Sequence, residues 1–299
     1  MYDANNKLYN NLPDDIVFNR VSHLDIPFDP RWNKIGINLS GGADSALLTF
    51  LLCSYIKQNK YKTQVEIITY QRCWETRPWQ GDIATNVYMW LMNQFPKIIG
   101  KRHLCYIPPE LEHGVIGPIH EGRSGDQIIV GSYNKFAAWN YKLDAVYNAT
   151  SKNPDDLRDD RMTNRDKDAE DGNITDLWWY SRKVKSTVVH PFRFVKKDWI
   201  VAQYHIHNIL GLYNITRSCE GDINHHDIIK NACNHFSDYK TNMPIPECKE
   251  CWWCEERDWA ESRVQNVIKE INETRNKASP YRKSISGNLG YRQTLQLRL

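Results

Sequence analysis

Apolar and polar positions along this chain fall into blocks whose period changes. Lys34–Leu39 (KIGINL) is a short apolar run of the length of a buried strand. It breaks into Ser40-Gly41-Gly42-Ala43-Asp44-Ser45, and the next stretch, ALLTFLLCSYIKQNK, has strong helical character. Gln64–Tyr70 (QVEIITY), rich in β-branched residues, predicts a second strand. Asp82–Gln94 then reads as a helix, Lys101–Ile107 as a strand, Asp126–Lys142 as a helix and Ala145–Ala149 as a strand. Val184–Pro191 continues as a strand and Asp198–Leu210 as an amphipathic helix. Such an alternation predicts an α/β fold, a doubly wound parallel sheet covered by helices on both faces.

Four stretches depart from the rhythm. Residues 1–33 are polar, carry Pro13, Pro27 and Pro30, and read as a surface lead-in to an α/β unit at 34–213. Within that unit, residues 151–173 hold eight acidic and five basic residues and almost nothing apolar. That is the composition of a solvated insertion, with a functional lid as the alternative. Residues 214–276 are His- and Cys-rich and end in a charged helix from Glu255 to Lys277, and 277–299 form a basic tail. At 299 residues, with 41% apolar and 25% charged residues, the chain can bury a large core as one big domain or two modest ones. No window approaches 18 consecutive apolar residues and Met1–Arg20 has no signal-peptide core, so the expected location is the cytoplasm. The formal net charge of +3 argues neither for nor against nucleic acid.

The six-residue loop lies where an open α/β sheet puts its ligand, between a strand's carboxyl end and a helix N-terminus. Two glycines let the backbone approach an anion without a Cβ in the way. The helix N-terminus adds unpaired N–H donors and a positive partial charge. Ser40 and Ser45 can add hydroxyls, and Asp44 can hold Mg²⁺ bridging phosphate oxygens. A plain turn with Asp44 or Ser45 as helix cap would use the same residue types, but the whole string between strand and helix favours phosphate binding. It is neither a Walker A loop nor a G-x-G-x-x-G fingerprint.

Eight cysteines are too few for a disulfide scaffold in so long a chain, yet three of them form C-x₂-C-x₂-C at Cys248, Cys251 and Cys254. Three thiolates at this spacing reach one ion, and a fourth ligand must come from elsewhere. Cys219 leads, with Cys233, His225, His226 and His235 as rivals. Four thiolates suit a structural Zn²⁺ site, and an iron–sulfur cluster is the rival by spacing alone. Trp252, Trp253 and Trp259 beside Lys249 and Arg257 read as packing around this knuckle, with base stacking as the alternative.

The loop resembles the Ser-Gly-Gly-x-Asp-Ser signature of the PP-loop ATP pyrophosphatases, which cleave ATP between the α- and β-phosphates and pass AMP to an acceptor. Loop and cysteines together resemble the 7-cyano-7-deazaguanine synthase family, in which such a loop opens the chain and a four-cysteine zinc site closes it. The matching residues are Ser218-Cys219, then Cys248, Cys251 and Cys254, with Arg257 three residues on. Pro191–Ile200 is similar to a family segment whose lysine reaches ATP phosphate, which corresponds to Lys197. The resemblance covers Lys34 to Arg257 in islands. Thr69 stands where the family has Asp, Arg72 lies near its Gly-Gln, and Asn153 replaces the Tyr before Pro154-Asp155.

The resemblance implies an adenine nucleotide alpha hydrolase-like fold with a small C-terminal zinc knuckle. It implies conversion of 7-carboxy-7-deazaguanine and ammonia to the 7-cyano base by two ATP-dependent adenylations. Ser40, Gly41, Gly42, Ala43, Asp44, Ser45 and Tyr70 would bind ATP, Asp44 and Lys197 would be the catalytic pair, and Cys219, Cys248, Cys251 and Cys254 would hold structural zinc. Mg²⁺ on Asp44 completes the cofactors. The partners are then small molecules without nucleic acid or membrane, and a homodimer is an admissible assembly. The alternatives are a PP-loop tRNA thiolation enzyme, another adenylating amidotransferase, or a non-catalytic nucleotide-sensing zinc-ribbon protein.

Overall fold

The computed structural model describes residues 18–21, 24–72, 79–107, 125–157, 178–181, 185–219 and 247–285. Its centre is a six-stranded sheet. In chain order the sheet strands are β3 (Lys34–Asn38), β4 (Gln64–Arg72), β5 (Ile99–Ile107), β6 (Ala145–Tyr147), β7 (Trp178–Ser181) and β8 (Ser186–Val189). Their spatial order is β5-β4-β3-β6-β8-β7, and all pairings are parallel except that of β7 with β8. The chain winds outward from β3 through β4 to β5, then returns to the other side of β3 for β6 and β8. This is the predicted doubly wound sheet, with its switch point between β3 and β6.

Period-two alternation divides the core between the two faces. Ile35, Ile37, Val65, Ile67, Ala145 and Tyr147 face α1 (Ala43–Asn59) and α2 (Gln80–Gln94). Ile68, Tyr70, Cys105, Ile107 and Val146 form a second cluster with Ala137 and Ala138 of α3 (Gly125–Asn140). Helix α1 is buried nearly all round, from Ala46 and Leu47 to Tyr55 and Ile56, as its uniformly apolar sequence requires. It ends at Lys60 in the left-handed region, where the Lys60 and Tyr61 N–H groups satisfy the last carbonyls.

Three expectations need correction. Residues 24–33 are not a surface lead-in. They begin with β2 (Leu24–Pro27), which pairs antiparallel with β1 (Phe18–Val21), and Ile26 and Phe28 are fully buried. Phe28 stacks on Tyr61 and meets Trp32 and Tyr55 edge-on, and the Tyr147 hydroxyl donates to Pro27 O at 2.5 Å. Proline and aspartate mask this apolar content, because each interrupts any strand or helix period. The helix expected over Asp198–Leu210 is two: α4 (Lys197–Ile206) and α5 (Leu210–Asn214), divided where Asn208 turns left-handed at φ 53°. The start of the acidic insertion is not wholly solvated either, since Ser151, Asn153 and Pro154 are buried. Residues 158–173 of that insertion lie outside the described residues, as do Cys233, His225, His226, His235 and residues 286–299 of the basic tail. The last helix, α6 (Trp252–Ile285), packs along α4.

Candidate active site

The predicted loop sits at the switch point. β3 ends at Asn38, β6 ends at Tyr147, and the Asn38 side-chain amide donates to Asn148 Oδ1 across the gap where the two connections part. Gly41 adopts φ +83°, and a Cβ there would lie 2.8 Å from the Ala84 backbone N at the start of α2. Only glycine fits both the dihedral and the space. A Cβ on Gly42 would come within 3.0 Å of Ser218 Oγ. Gly42 caps α1 in an extended conformation, and the first helical bond runs from Ala46 N to Gly42 O at 3.1 Å. The N–H groups of the first turn, Ala43 to Ser45, therefore have no acceptor inside the helix. Ser45 turns its hydroxyl into the loop, donating to Gly42 O at 3.1 Å and accepting from Ser40 N at 3.2 Å. These bonds brace the loop, and Ser45 also lines the cavity beside it. Gly41→Ala is expected to cost about 1–3 kcal/mol through strain at this dihedral, as read by thermal melting.

Asp44 and Lys197, 153 residues apart, meet beside this loop: Lys197 Nζ donates to Asp44 Oδ1. Lys197 is the first residue of α4 and is only 4% exposed. Its ammonium also lies 3.7 Å from Glu256 Oε2, a carboxylate on α6 with 0% side-chain exposure. Ser151 Oγ donates to Asp44 Oδ2 at 2.9 Å. One buried cation thus stands between two carboxylates contributed by α1 and α6, and the Tyr204 hydroxyl ties α4 to Ala43 O at 2.6 Å.

The loop, Asp44 and Lys197 line a cavity of about 280 Å³. Tyr70, predicted to bind nucleotide, also lines it, with its hydroxyl donating to Asn134 Oδ1 at 2.7 Å. Burial raises that phenol far above its ordinary pKa, so it stays a donor. Asn148 carries the polar network on, its Nδ2 lying 3.4 Å from His190 Nε2. Burial, helped by Arg193, lowers His190 to about 4, which keeps its ring neutral and able to accept. At the second strand's end, Thr69 is fully buried and accepts from Arg102 Nε at 3.2 Å, so it is a packing residue.

The opposite wall carries Arg217, Ser218, Cys219 and Trp253. The Arg217 N–H donates to Gly41 O at 3.1 Å, fastening this wall to the loop. Cys219 joins Cys248, Cys251 and Cys254, and all four sulfurs lie within 4.8 Å of one another. Individual separations are 3.6 Å (Cys251–Cys254), 3.8 Å (Cys251–Cys219) and 3.9 Å (Cys248–Cys254). Lys249, left-handed at φ 62°, makes the knuckle's turn, and the Cys248 and Cys251 amides point at sulfurs 3.5 and 3.3 Å away. Arg257 clasps the two halves: it donates to Thr216 O at 3.0 Å, pairs with Glu247 at 3.3 Å and lies 4.1 Å over the Tyr213 ring. The four residues chosen from the sequence are the four brought together, and this donor set can hold a metal ion.

Sequence reasoning missed Glu256, Ser151 and the Asn38–Asn148–Asn134 network. Glu256 had a signal: Trp252, Glu256, Ala260 and Val264 recur every fourth residue and all are buried, so a charge occupies the apolar stripe of α6. Ser151 and Asn148 follow the carboxyl end of β6 at the switch point, where ligand-facing residues gather.

No protein-family model matches the chain. No curated protein matches it either. Solved structures with partial likeness include the U34-tRNA thiolase NcsA from Methanococcus maripaludis with its 4Fe-4S cluster, at 14% identity and TM-score 0.42 over 81% of this chain and 71% of that one. The NMN synthetase from Francisella tularensis is 13% identical, with TM-score 0.34 over 80% of this chain and 87% of that one. The NAD+ synthetase from Burkholderia pseudomallei is 10% identical, with TM-score 0.35 over 83% and 82%. At these identities and scores the likenesses identify neither a family nor an activity. Among the described residues no helix is long and apolar enough to cross a membrane.

Proposed function

We propose that the chain is an ATP-dependent C–N ligase that adenylates 7-carboxy-7-deazaguanine, with ammonia as nitrogen donor, and yields 7-cyano-7-deazaguanine. The observation that carries this reading is the meeting of Asp44 and Lys197 beside a glycine-opened helix N-terminus at the sheet's switch point. A buried Lys–Asp pair there supplies a cation for phosphate oxygens and a carboxylate for Mg²⁺, the two charges that ATP cleavage at the α-phosphorus needs.

A carboxylate resists attack because it is anionic and its oxide leaves poorly. In the proposed reaction a carboxylate oxygen of the substrate attacks the α-phosphorus, the bond to the β-phosphate oxygen breaks, and pyrophosphate departs. Ammonia then adds to the acyl carbon, AMP leaves with the anhydride oxygen, and one proton is lost to give the amide. In the second round the amide oxygen attacks another ATP, pyrophosphate departs again, and loss of AMP and the remaining N–H protons gives the nitrile. The first-turn N–H groups of α1 and the Ser40–Gly42 loop hold phosphate, and Lys197 neutralises the charge that develops on it. Asp44 would hold Mg²⁺, which when bound draws charge from the phosphate oxygens.

The four cysteines would hold zinc. A tetrahedral ion about 2.3 Å from each sulfur sets the sulfurs roughly 3.8 Å apart, and separations of 3.6, 3.8 and 3.9 Å support that assignment. A four-iron cluster binds each thiolate to a different iron and spreads the sulfurs further. Product analysis by mass spectrometry tests the acceptor: ATP, ammonium and the carboxy base are expected to give the nitrile with two pyrophosphates per product. No stimulation of pyrophosphate release by the base, in folded metal-loaded protein, rejects it.

One observation favours a second reading, tRNA thiolation: Cys219 lines the nucleotide cavity itself and so brings sulfur chemistry to the site. A brown protein absorbing near about 400 nm would favour that reading and remove the zinc assignment.

A further inference from the structure

Glu256 belongs to neither the phosphate loop nor the cysteine set, yet it connects them. It lies two residues after Cys254, in the first turns of α6, and its side chain has 0% exposure. The cysteine turn builds the start of that helix, because the Cys254 and Glu255 N–H groups both donate to Cys251 O, at 3.0 and 3.2 Å. At the other end the Glu256 carboxylate stands 3.7 Å from the Lys197 ammonium, which also donates to Asp44. The order in space is therefore knuckle, helix start, Glu256, Lys197, Asp44, loop.

A buried ammonium can leave one carboxylate only if another stays to balance it. When nucleotide and Mg²⁺ claim Asp44, Lys197 must turn towards phosphate, and Glu256 is the counter-ion that remains. That counter-ion is correctly placed only while the cysteine knuckle holds the start of α6. We propose that Glu256 is a positioning residue that couples the occupancy of the four-cysteine site to nucleotide affinity, each ligand tightening the other. The inference rests on the nucleotide reading above, and linkage makes the coupling reciprocal.

The test uses the full chain loaded with zinc, a non-hydrolysable α,β-methylene analogue of ATP with Mg²⁺, and a chromogenic zinc chelator. In the unaltered protein the analogue is expected to slow zinc transfer to the chelator roughly tenfold, and zinc to tighten analogue binding by roughly the same factor, within the range ordinary for coupled sites. Glu256→Gln is expected to bind one zinc and to bind the analogue more weakly, with the zinc-dependent ratio falling to about one. If Glu256 merely adds negative charge near an anion site, its neutralisation would instead raise analogue affinity, and that result overturns the proposal. Unchanged coupling in Glu256→Gln also overturns it, since the Arg217–Gly41 backbone bond would then be the carrier. Glu256→Asp keeps the charge but withdraws it by one methylene, so it serves if the glutamine variant does not fold. It is expected to lose most of the coupling, and full coupling in it overturns the proposal. Failure of zinc-loaded unaltered protein to bind the analogue rejects the nucleotide reading together with this inference. Analogue binding that is indifferent to zinc rejects this inference alone.

Discussion

Lys197→Met is expected to lower stability by about 3–5 kcal/mol and pyrophosphate release by at least about a hundredfold. The stability loss follows from what remains. Asp44 and Glu256 face the same small volume from α1 and α6, and without the ammonium they are two carboxylates with no cation between them. Their repulsion and desolvation, rather than one lost contact, set the size of the effect. In the proposed reaction the activity loss has a separate origin, the missing charge opposite the phosphate. A double substitution separates the two: Lys197→Met with Glu256→Leu removes one buried charge of each sign and is expected to recover much of the stability while turnover stays low. Denaturant unfolding and a pyrophosphate assay on the same preparations check both. Full turnover in Lys197→Met would remove the lysine from the mechanism.

Cys254→Ser is expected to abolish stoichiometric metal binding, read by elemental analysis. Cys254 is the most enclosed of the three knuckle cysteines, sits in the first turn of α6 and has sulfur neighbours on two sides. Without the ion, three thiols are left packed within van der Waals range and the helix start loses its anchor. A loss of about 3 kcal/mol lowers Tm by about 6–12 °C in a domain of this size. Chelation of the unaltered protein is expected to bring its Tm to that of the variant. Unchanged melting with metal retained would show that these sulfurs are not the ligands.

The central strands and first helix were legible because their residues agree at every level. KIGINL is apolar for the length of one strand, and the stretch from Ala46 to Ile56 is apolar on every side, so no competing period exists. The four-cysteine cluster was legible for a different reason: three cysteines in seven positions have few uses other than holding a metal. Lys197 had no local signal, since a lysine at a helix start is ordinarily solvated, and only the family resemblance singled it out. Residues 24–33 hid because Pro27, Asp29 and Pro30 interrupt the pattern while Ile26 and Phe28 pack across the chain. Asn208 broke a helix that hydrophobicity alone extends to Leu210, because a left-handed residue leaves no mark on an apolar period. Ser151 read as the start of an acidic run. Its partner is Asp44, 107 residues earlier, and contacts that distant are set by topology.

That separation along the chain also orders events during synthesis. The Ser40–Ser45 loop emerges early, but Lys197 is 153 residues behind Asp44, and the last residue of the four-cysteine cluster is later still. Synthesis delivers the chain N-terminus first. A nascent chain can therefore assemble the inner strands and first helix while its charge triad and sulfur set are incomplete. A product interrupted between Lys197 and Arg217 would carry the Ser40–Ser45 loop without the wall that Arg217, Ser218 and Cys219 set against it.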